Sequence, residues 1–201
     1  MSGGAPAPTI SALRPKRRGK VLVELDGAPW RVFAEDVVVR AGLRIGLELD
    51  RERLRRLARE RRRHRALTLA TRALRHRDLS ERRLADRLAR SGVRAPERAE
   101  ALETLSRAGY VDDARYALER ARSLAARGLG DRAIRFALER DGIDAETGEQ
   151  ALAALEPEAT RAEALATRKG RTRATARYLA RRGFGEEAVE AAVGWFVAED
   201  E

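Results

Sequence analysis

Residues 66–105, slid forward by 50 positions, fall on 116–155, and those slid by a further 41 fall on 157–196, with no gap inside the unit. A chain that repeats itself at this period must fold as one small supersecondary unit stacked on its own copies. The columns agree in chemistry: Leu74, Leu124 and Leu165 coincide, as do Leu88, Leu138 and Leu179. So do Ala101-Leu102, Ala151-Leu152 and Ala192-Val193, then Leu105, Leu155 and Phe196. The most telling column pairs Gly92-Val93 with Gly142-Ile143 and Gly183-Phe184. A glycine just past a helix takes the left-handed conformation that ends it, and the apolar residue behind it folds back onto the last turn.

Each unit therefore reads as helix, turn, helix, glycine stop, helix. The apolar spacing places helices over 66–77, 80–91 and 96–108, then 113–126, 131–141 and 145–155, then 158–168, 172–182 and 186–197. Ser80, Asp112 and Asp144 are suited to cap helix starts, and Pro96 and Pro157 to occupy first turns. The expected fold is mainly α: three tandem three-helix units, nine helices in all, over 66–109, 110–156 and a more divergent 157–201. Units too small to bury a core alone are expected to stack into an elongated, curved array.

Residues 1–19 are rich in Pro, Gly, Ala and Arg and read as a disordered basic tail. Val21–Leu25 and Trp30–Phe33 flank Asp26-Gly27 and read as a β-hairpin, which must pack on something to be stable. Residues 35–41 fit either a third strand or a helical turn. Asp50 can cap a following helix whose thin apolar side is Leu54 and Leu57, and no Gly or Pro interrupts 51–78. Hairpin and Arg-rich helix form an N-terminal extension over 20–65.

The charge is uneven. The chain has 42 Lys+Arg against 32 Asp+Glu, and only Lys16, Lys20 and Lys169 are lysines. Residues 1–65 hold 17 basic and 8 acidic side chains, with nine arginines between Arg51 and Arg65. Such a block suits an anionic partner, and it equally suits a solvated helix face in a chain of arginine-biased composition. Residues 161–185 carry eight basic residues and Glu163 alone on the acidic side, whereas 186–201 carry six acidic and no basic residues. The simplest reading is that the last helix neutralises its neighbour.

Catalytic chemistry is poorly provided for. The absence of cysteine excludes thiolate catalysis, disulfides and Cys-based zinc sites. His64 and His76 have no partners at zinc-ligand spacing and read as surface residues. Residue 14 is Arg, so Gly19-Lys20 lacks the upstream glycine of a phosphate loop. Asp112-Asp113 could form a carboxylate pair for metal or acid–base work, but after Gly109-Tyr110 they fall at a helix start, where carboxylates cap free N–H groups. Tyr110 reads as a core plug, and Trp30 and Trp195 as packing residues. No enzyme, cofactor or metal is expected. No apolar run approaches a membrane span and the N-terminus has no secretory apolar stretch, so a cytoplasmic protein is expected, as a monomer for want of a long heptad run.

Arg77-x-x-Ser80-x-x-x-Leu84-x-x-x-Leu88-x-x-x-Gly92, followed by Gly109-Tyr110-Val111-Asp112-Asp113-Ala114-Arg115-Tyr116-Ala117, resembles the RecX regulatory proteins. Arg127-Gly128-x-Gly130-x-x-x-Ile134-x-x-x-Leu138-x-x-x-Gly142-Ile143 is a further match, and residues 20–65 are similar to an N-terminal extension found in many members. The third unit departs at one turn, where Lys169-Gly170 precedes Arg171 in place of Gly128-Leu129-Gly130. The resemblance implies a non-enzymatic modulator that binds the filament of the RecA recombinase on single-stranded DNA and inhibits ATP hydrolysis and strand exchange, in recombination, DNA repair and the SOS response.

On that reading the repeat surface carries the contact, through Arg82, Arg90, Arg132, Arg140, Arg173, Arg177 and Arg181, with Arg53, Arg56, Arg59 and Arg63 as accessory contacts to DNA or RecA. Three repeat columns are all arginine (Arg77/Arg127/Arg168, Arg82/Arg132/Arg173 and Arg90/Arg140/Arg181), a pattern that shared descent explains as well as function does. Gly92, Gly109, Tyr110, Asp112, Asp113, Gly142 and Gly183 form the structural motif. The alternative is a basic helical-repeat protein that binds DNA with no recombinase partner. With 4% aromatic residues there is little for bases to stack on, so direct DNA binding would be weak, phosphate-driven and salt-sensitive. A helix-turn-helix with 80–91 or 131–141 as recognition helix is a lesser variant, because those segments carry Leu and Ile for packing.

Overall fold

A computed structural model describes residues 7–75 and 77–194. His76, Trp195 and Phe196, and with them the expected end of the last helix, lie outside the described residues. The chain divides into two compact units, one of residues 7–73 with 88–101, the other of 74–87 with 102–194.

The first unit opens with three antiparallel strands in the order β1-β2-β3: β1 Ile10–Lys16, β2 Lys20–Leu25 and β3 Ala28–Ala34. The hairpin around Asp26-Gly27 is present, with Val21 opposite Phe33 and Leu22 opposite Val32. Of the expected tail, residues 1–6 lie outside the described residues, and the part that follows is corrected, because residues 10–16 form an edge strand whose Leu13 pairs with Val23. Residues 35–40 settle as helix α1, Glu35–Arg40. Ile10, Val23, Phe33, Val37, Leu49 and Leu57 share one buried core, so the hairpin is stabilised by packing on α1 and on the apolar side chains of Leu49 and Leu57. Trp30 departs from the packing expectation: it sits at a register shift in β3, 36% exposed, its ring 5.5 Å from that of Phe33.

Helix α2, Arg51–Leu74, joins the Arg-rich helix to the first repeat helix without a break, as the absence of Gly and Pro permits. Asp50 Oδ1 accepts from Arg53 N–H at 2.8 Å, the expected cap. The remaining helices are α3 Glu81–Arg90, α4 Ala95–Arg107, α5 Asp113–Ala126, α6 Asp131–Arg140, α7 Ala145–Ala153, α8 Glu158–Lys169, α9 Arg173–Arg181 and α10 Glu186–Val193. The described residues thus hold ten helices: the eight after α2 match the repeat reading, and α1 is the addition.

All three glycine stops have one geometry. Gly92, Gly142 and Gly183 have φ of 73°, 88° and 84°. Behind them Val93, Ile143 and Phe184 donate their N–H to the carbonyls of Leu88, Leu138 and Leu179 at 3.0, 3.0 and 3.2 Å, and all six side chains are buried. Asp112 and Asp144 cap α5 and α7 as expected, each accepting at 2.9 Å from the N–H three residues on.

In the second unit the same stops are joints between repeats. The carbonyl just before the glycine accepts from one repeat back: Asp141 O from Ser80 Oγ, and Arg182 O from Gly130 N–H at 3.0 Å. The first carboxylate of each following helix caps the same helix start, Asp113 Oδ1 accepting from Glu81 N–H at 2.8 Å and Glu158 Oε1 from Asp131 N–H at 2.6 Å. Asp113 is therefore a cap, as expected, but of α3 rather than of its own helix. Burial against that start raises its carboxyl pKa.

At the second joint the backbones touch so closely that a Cβ on Gly130 would overlap the Gly183–Phe184 backbone. Gly130→Ala should therefore lower stability in urea unfolding by about 1–3 kcal/mol, the usual cost of overpacking. Gly148→Ala, inside α7 where a Cβ meets only Leu138 at 4.0 Å, should raise stability by about 0.5–1 kcal/mol.

Candidate partner-binding surface

Helices α6 and α9 each bury one side and present another. In α6, Ile134, Ala137 and Leu138 turn into a core with Tyr116, Leu124 and Leu152. Arg132, Phe136 and Arg140 recur every four residues on the outer side, and all three are exposed. In α9, Thr175 and Leu179 are buried while Arg173, Arg177 and Arg181 form the corresponding outer stripe. The four-residue spacing puts each trio on one face.

Of the six acids expected to neutralise the basic stretch 161–185, Glu199, Asp200 and Glu201 lie outside the described residues. Glu186, Glu187 and Glu190 of α10 are exposed, and among the described residues no ion pair joins them to Arg173, Arg177 or Arg181. Arg140 is likewise without an acidic partner among them. Arg132 has an internal bond, from Nη2 to the Ala180 carbonyl at 3.3 Å. The aliphatic stem of Arg82 lies over Gly142, at the first joint. Arg90 is exposed near the end of α3.

Phe136, 65% exposed, was not singled out by sequence, although its repeat column is otherwise charged (Asp86 and Arg177), which marks an outward position. Tyr110 is corrected from core plug to surface residue at 63% exposure. Its N–H and that of Val111 both reach the Leu105 carbonyl, at 2.9 and 3.3 Å, and Val111 takes the buried place instead.

On α2 the accessory arginines divide. Arg63 pairs with Glu100 and is largely covered, and Arg53 is tied to the Glu48 carbonyl at 2.9 Å and to Asp50 at 3.4 Å. Arg56 and Arg59 are exposed, as is Arg55. Nearby, Arg62 Nε and the Arg94 guanidinium both bond to buried Glu97. The hydrogen bond from Arg94 is the main cause that lowers its pKa to about 2. His64, as expected, is partly exposed, its Nδ1 2.8 Å from Asp36 Oδ2.

The most buried charge among the described residues is Asp141, at 0% exposure. Tyr116 Oη donates to its Oδ2 at 2.8 Å, Arg83 Nη2 lies 2.8 Å from Oδ1, and Arg120 Nε lies 3.3 Å from Oδ2. Burial and the bond to Asp141 raise the Tyr116 pKa, so the phenol stays a donor. Nothing in the sequence separates this acid from a surface one, since its column holds Ser91 and Arg182. Its position makes it the polar pin of the first joint. Among the described residues no cluster of His, Asp and Glu is placed to hold a metal ion, and no helix is long and apolar enough to cross a membrane.

These features define a tandem three-helix-repeat protein with an N-terminal sheet and an arginine-bearing outer face. Residues 112–152 match the family model described as RecX, second three-helix domain. The chain is 42% identical over 76 residues to Regulatory protein RecX of Acidithiobacillus ferrooxidans, covering 38% of this chain and 51% of that one. It is 30% identical over 142 residues to Regulatory protein RecX of Leuconostoc citreum, covering 69% and 52%. The chain thus spans about half the length of the curated relatives it matches. The fold is similar to a crystal structure of regulatory protein RecX, with TM-score 0.80 at 24% identity over 92% of this chain and 98% of that one. RecX from Lactobacillus salivarius gives TM-score 0.58 at 19% identity, over 66% and 94%. Residues 112–152 thus carry a RecX three-helix domain, and in sequence and fold the chain is similar to the RecX regulatory proteins.

Asp141→Ala should cost about 3–5 kcal/mol, because it leaves Arg83 and Arg120 facing a buried gap. Tyr116→Phe should cost about 1–2 kcal/mol, the loss of one hydrogen bond to a charge. Urea unfolding of the two variants checks both the order and the size.

Proposed function

We propose that this chain is a non-enzymatic regulator that binds the RecA–single-stranded DNA filament and inhibits its ATP hydrolysis and strand exchange. The observation that carries the reading is the outer stripe of α9. Three arginines stand on one face with no acid to pair with among the described residues, in a helix whose sequence contains no carboxylate. Desolvating such a stripe is favourable only against an anionic partner. Phe136 between Arg132 and Arg140 adds the exposed aromatic group that protein interfaces use as an anchor. The RecX family supplies the regulatory role, and RecA as the partner is what the family resemblance implies.

A second reading has its own observation. Arg55, Arg56 and Arg59 on α2 are exposed and make no ion pair with a described residue, which fits a protein that binds DNA alone. The two readings differ in whether bare DNA competes as well as the filament does.

Replacing Arg173, Arg177 and Arg181 with Gln should weaken binding to RecA filaments at least about tenfold, roughly 1.4 kcal/mol. Fluorescence anisotropy on filaments assembled on labelled single-stranded DNA measures it. Unchanged affinity would remove this face from the assignment.

A further inference from the structure

The turn between β1 and β2 reads Lys16-Arg17-Arg18-Gly19-Lys20, four cations in five residues, all exposed. Lys16 and Lys20 are register partners, so two like charges face each other across the hairpin, which is locally unfavourable. Arg18 has φ of 62°, a left-handed conformation that costs a residue with a Cβ about 1–2 kcal/mol. The turn is held in place, since Glu35 N–H donates to the Gly19 carbonyl at 2.9 Å. Glu35 follows Ala34, the β3 partner of Lys20, yet no ion pair joins it to the turn. Among the described residues the side chains of the four cations make no hydrogen bond or ion pair.

Two of the three lysines in the chain flank this turn, where its general bias would have placed arginine. Like-charge pairing, a strained arginine and the lack of any acid partner among the described residues therefore meet in one fixed turn. Local conflicts of this kind, with nothing nearby in the chain to offset them, mark a binding site.

We infer that this hairpin tip is a binding site for the phosphate backbone of duplex DNA. Residues 14–20 contain no aromatic side chain, and Trp30 lies toward the opposite end of the sheet, where Leu25 pairs with Ala28. The tip thus has no platform on which single-stranded bases could stack. Duplex DNA offers one phosphate charge per ~1.7 Å of axis, and its major groove, about 12 Å wide, admits a two-stranded ribbon. The tip also carries no apolar residue to anchor in a protein surface or insert into a lipid interface. The inference does not depend on RecA, and its test contains none.

The test uses the full chain with Lys16→Gln, Arg17→Gln, Arg18→Asn and Lys20→Gln combined. Asparagine tolerates the left-handed conformation, so the turn is kept, and a thermal midpoint no lower than that of the wild-type chain checks it. Binding of a short fluorescent duplex is measured between about 50 and 200 mM salt. The variant should bind at least about tenfold more weakly at the low-salt end, with the slope of log K against log salt reduced by about 3.6, or 0.9 for each of four lost phosphate contacts. The wild-type chain should prefer duplex to a single strand of the same length. Unchanged slope and affinity would overturn the inference. So would a loss produced by Arg55→Gln, Arg56→Gln and Arg59→Gln but not by the tip variant, or a preference for the single strand.

Discussion

Everything in the repeat region depends on how the second helix of each unit ends. A helix terminates with carbonyls that have no partner in the helix itself. Here a left-handed glycine lets the next apolar N–H turn back onto one of them, in the same way at Val93, Ile143 and Phe184. At α6 and α9 the carbonyl just before the glycine accepts from the preceding repeat instead, through Ser80 at one joint and Gly130 at the other. One residue type thus stops a helix, seats an apolar side chain and leaves room for a neighbour. Because the joint fixes how α6 and α9 present themselves, it also decides which arginines face outward.

The two joints use different chemistry for the same task. The first is polar, with Asp141 buried among Tyr116, Arg83 and Arg120. The second relies on contact between backbones at Gly130 and on Glu158, which caps α6 and also accepts from Gly185 N–H at 3.2 Å. Of the two glycines Gly128 and Gly130, where the third unit has Lys169-Gly170-Arg171, Gly130 therefore has a packing reason, while Gly128 takes φ of 74° past the end of α5. Described residues beyond α9 offer no further second helix for Arg171 to meet.

Legibility tracked the strength of local chemistry. The glycine stops, the Asp112 and Asp144 caps and the hairpin were readable because each is a short signal with one structural answer. The β1 strand was not, since Pro15 and the run of cations argue for coil, and its pairing with Val21–Leu25 is a tertiary effect. The Asp141 network was hidden for the same reason: its partners lie 21, 25 and 58 residues away along the chain. Arginine was the hardest residue to read. Arg63 and Arg62 are held by acids on α4, Arg82 packs its stem on glycine, and Arg173, Arg177 and Arg181 stand free of described acids, yet composition makes them look alike. Tyr110 misled because the residue behind a glycine stop is normally the buried one, and here Val111 takes that place.

A repeat surface whose arginine stripe has no acidic partner among the described residues fits a regulator that recognises an assembled partner, while the basic turn of the N-terminal sheet fits DNA itself. The central claim is that the chain acts on the recombinase filament and not by covering DNA. The most direct measurement is RecA ATP hydrolysis on single-stranded DNA with this protein titrated well below the RecA concentration. The account predicts loss of hydrolysis at substoichiometric amounts, the behaviour of a protein that acts on filament growth or stability. Hydrolysis that stays intact until the protein is abundant enough to coat the DNA would contradict it.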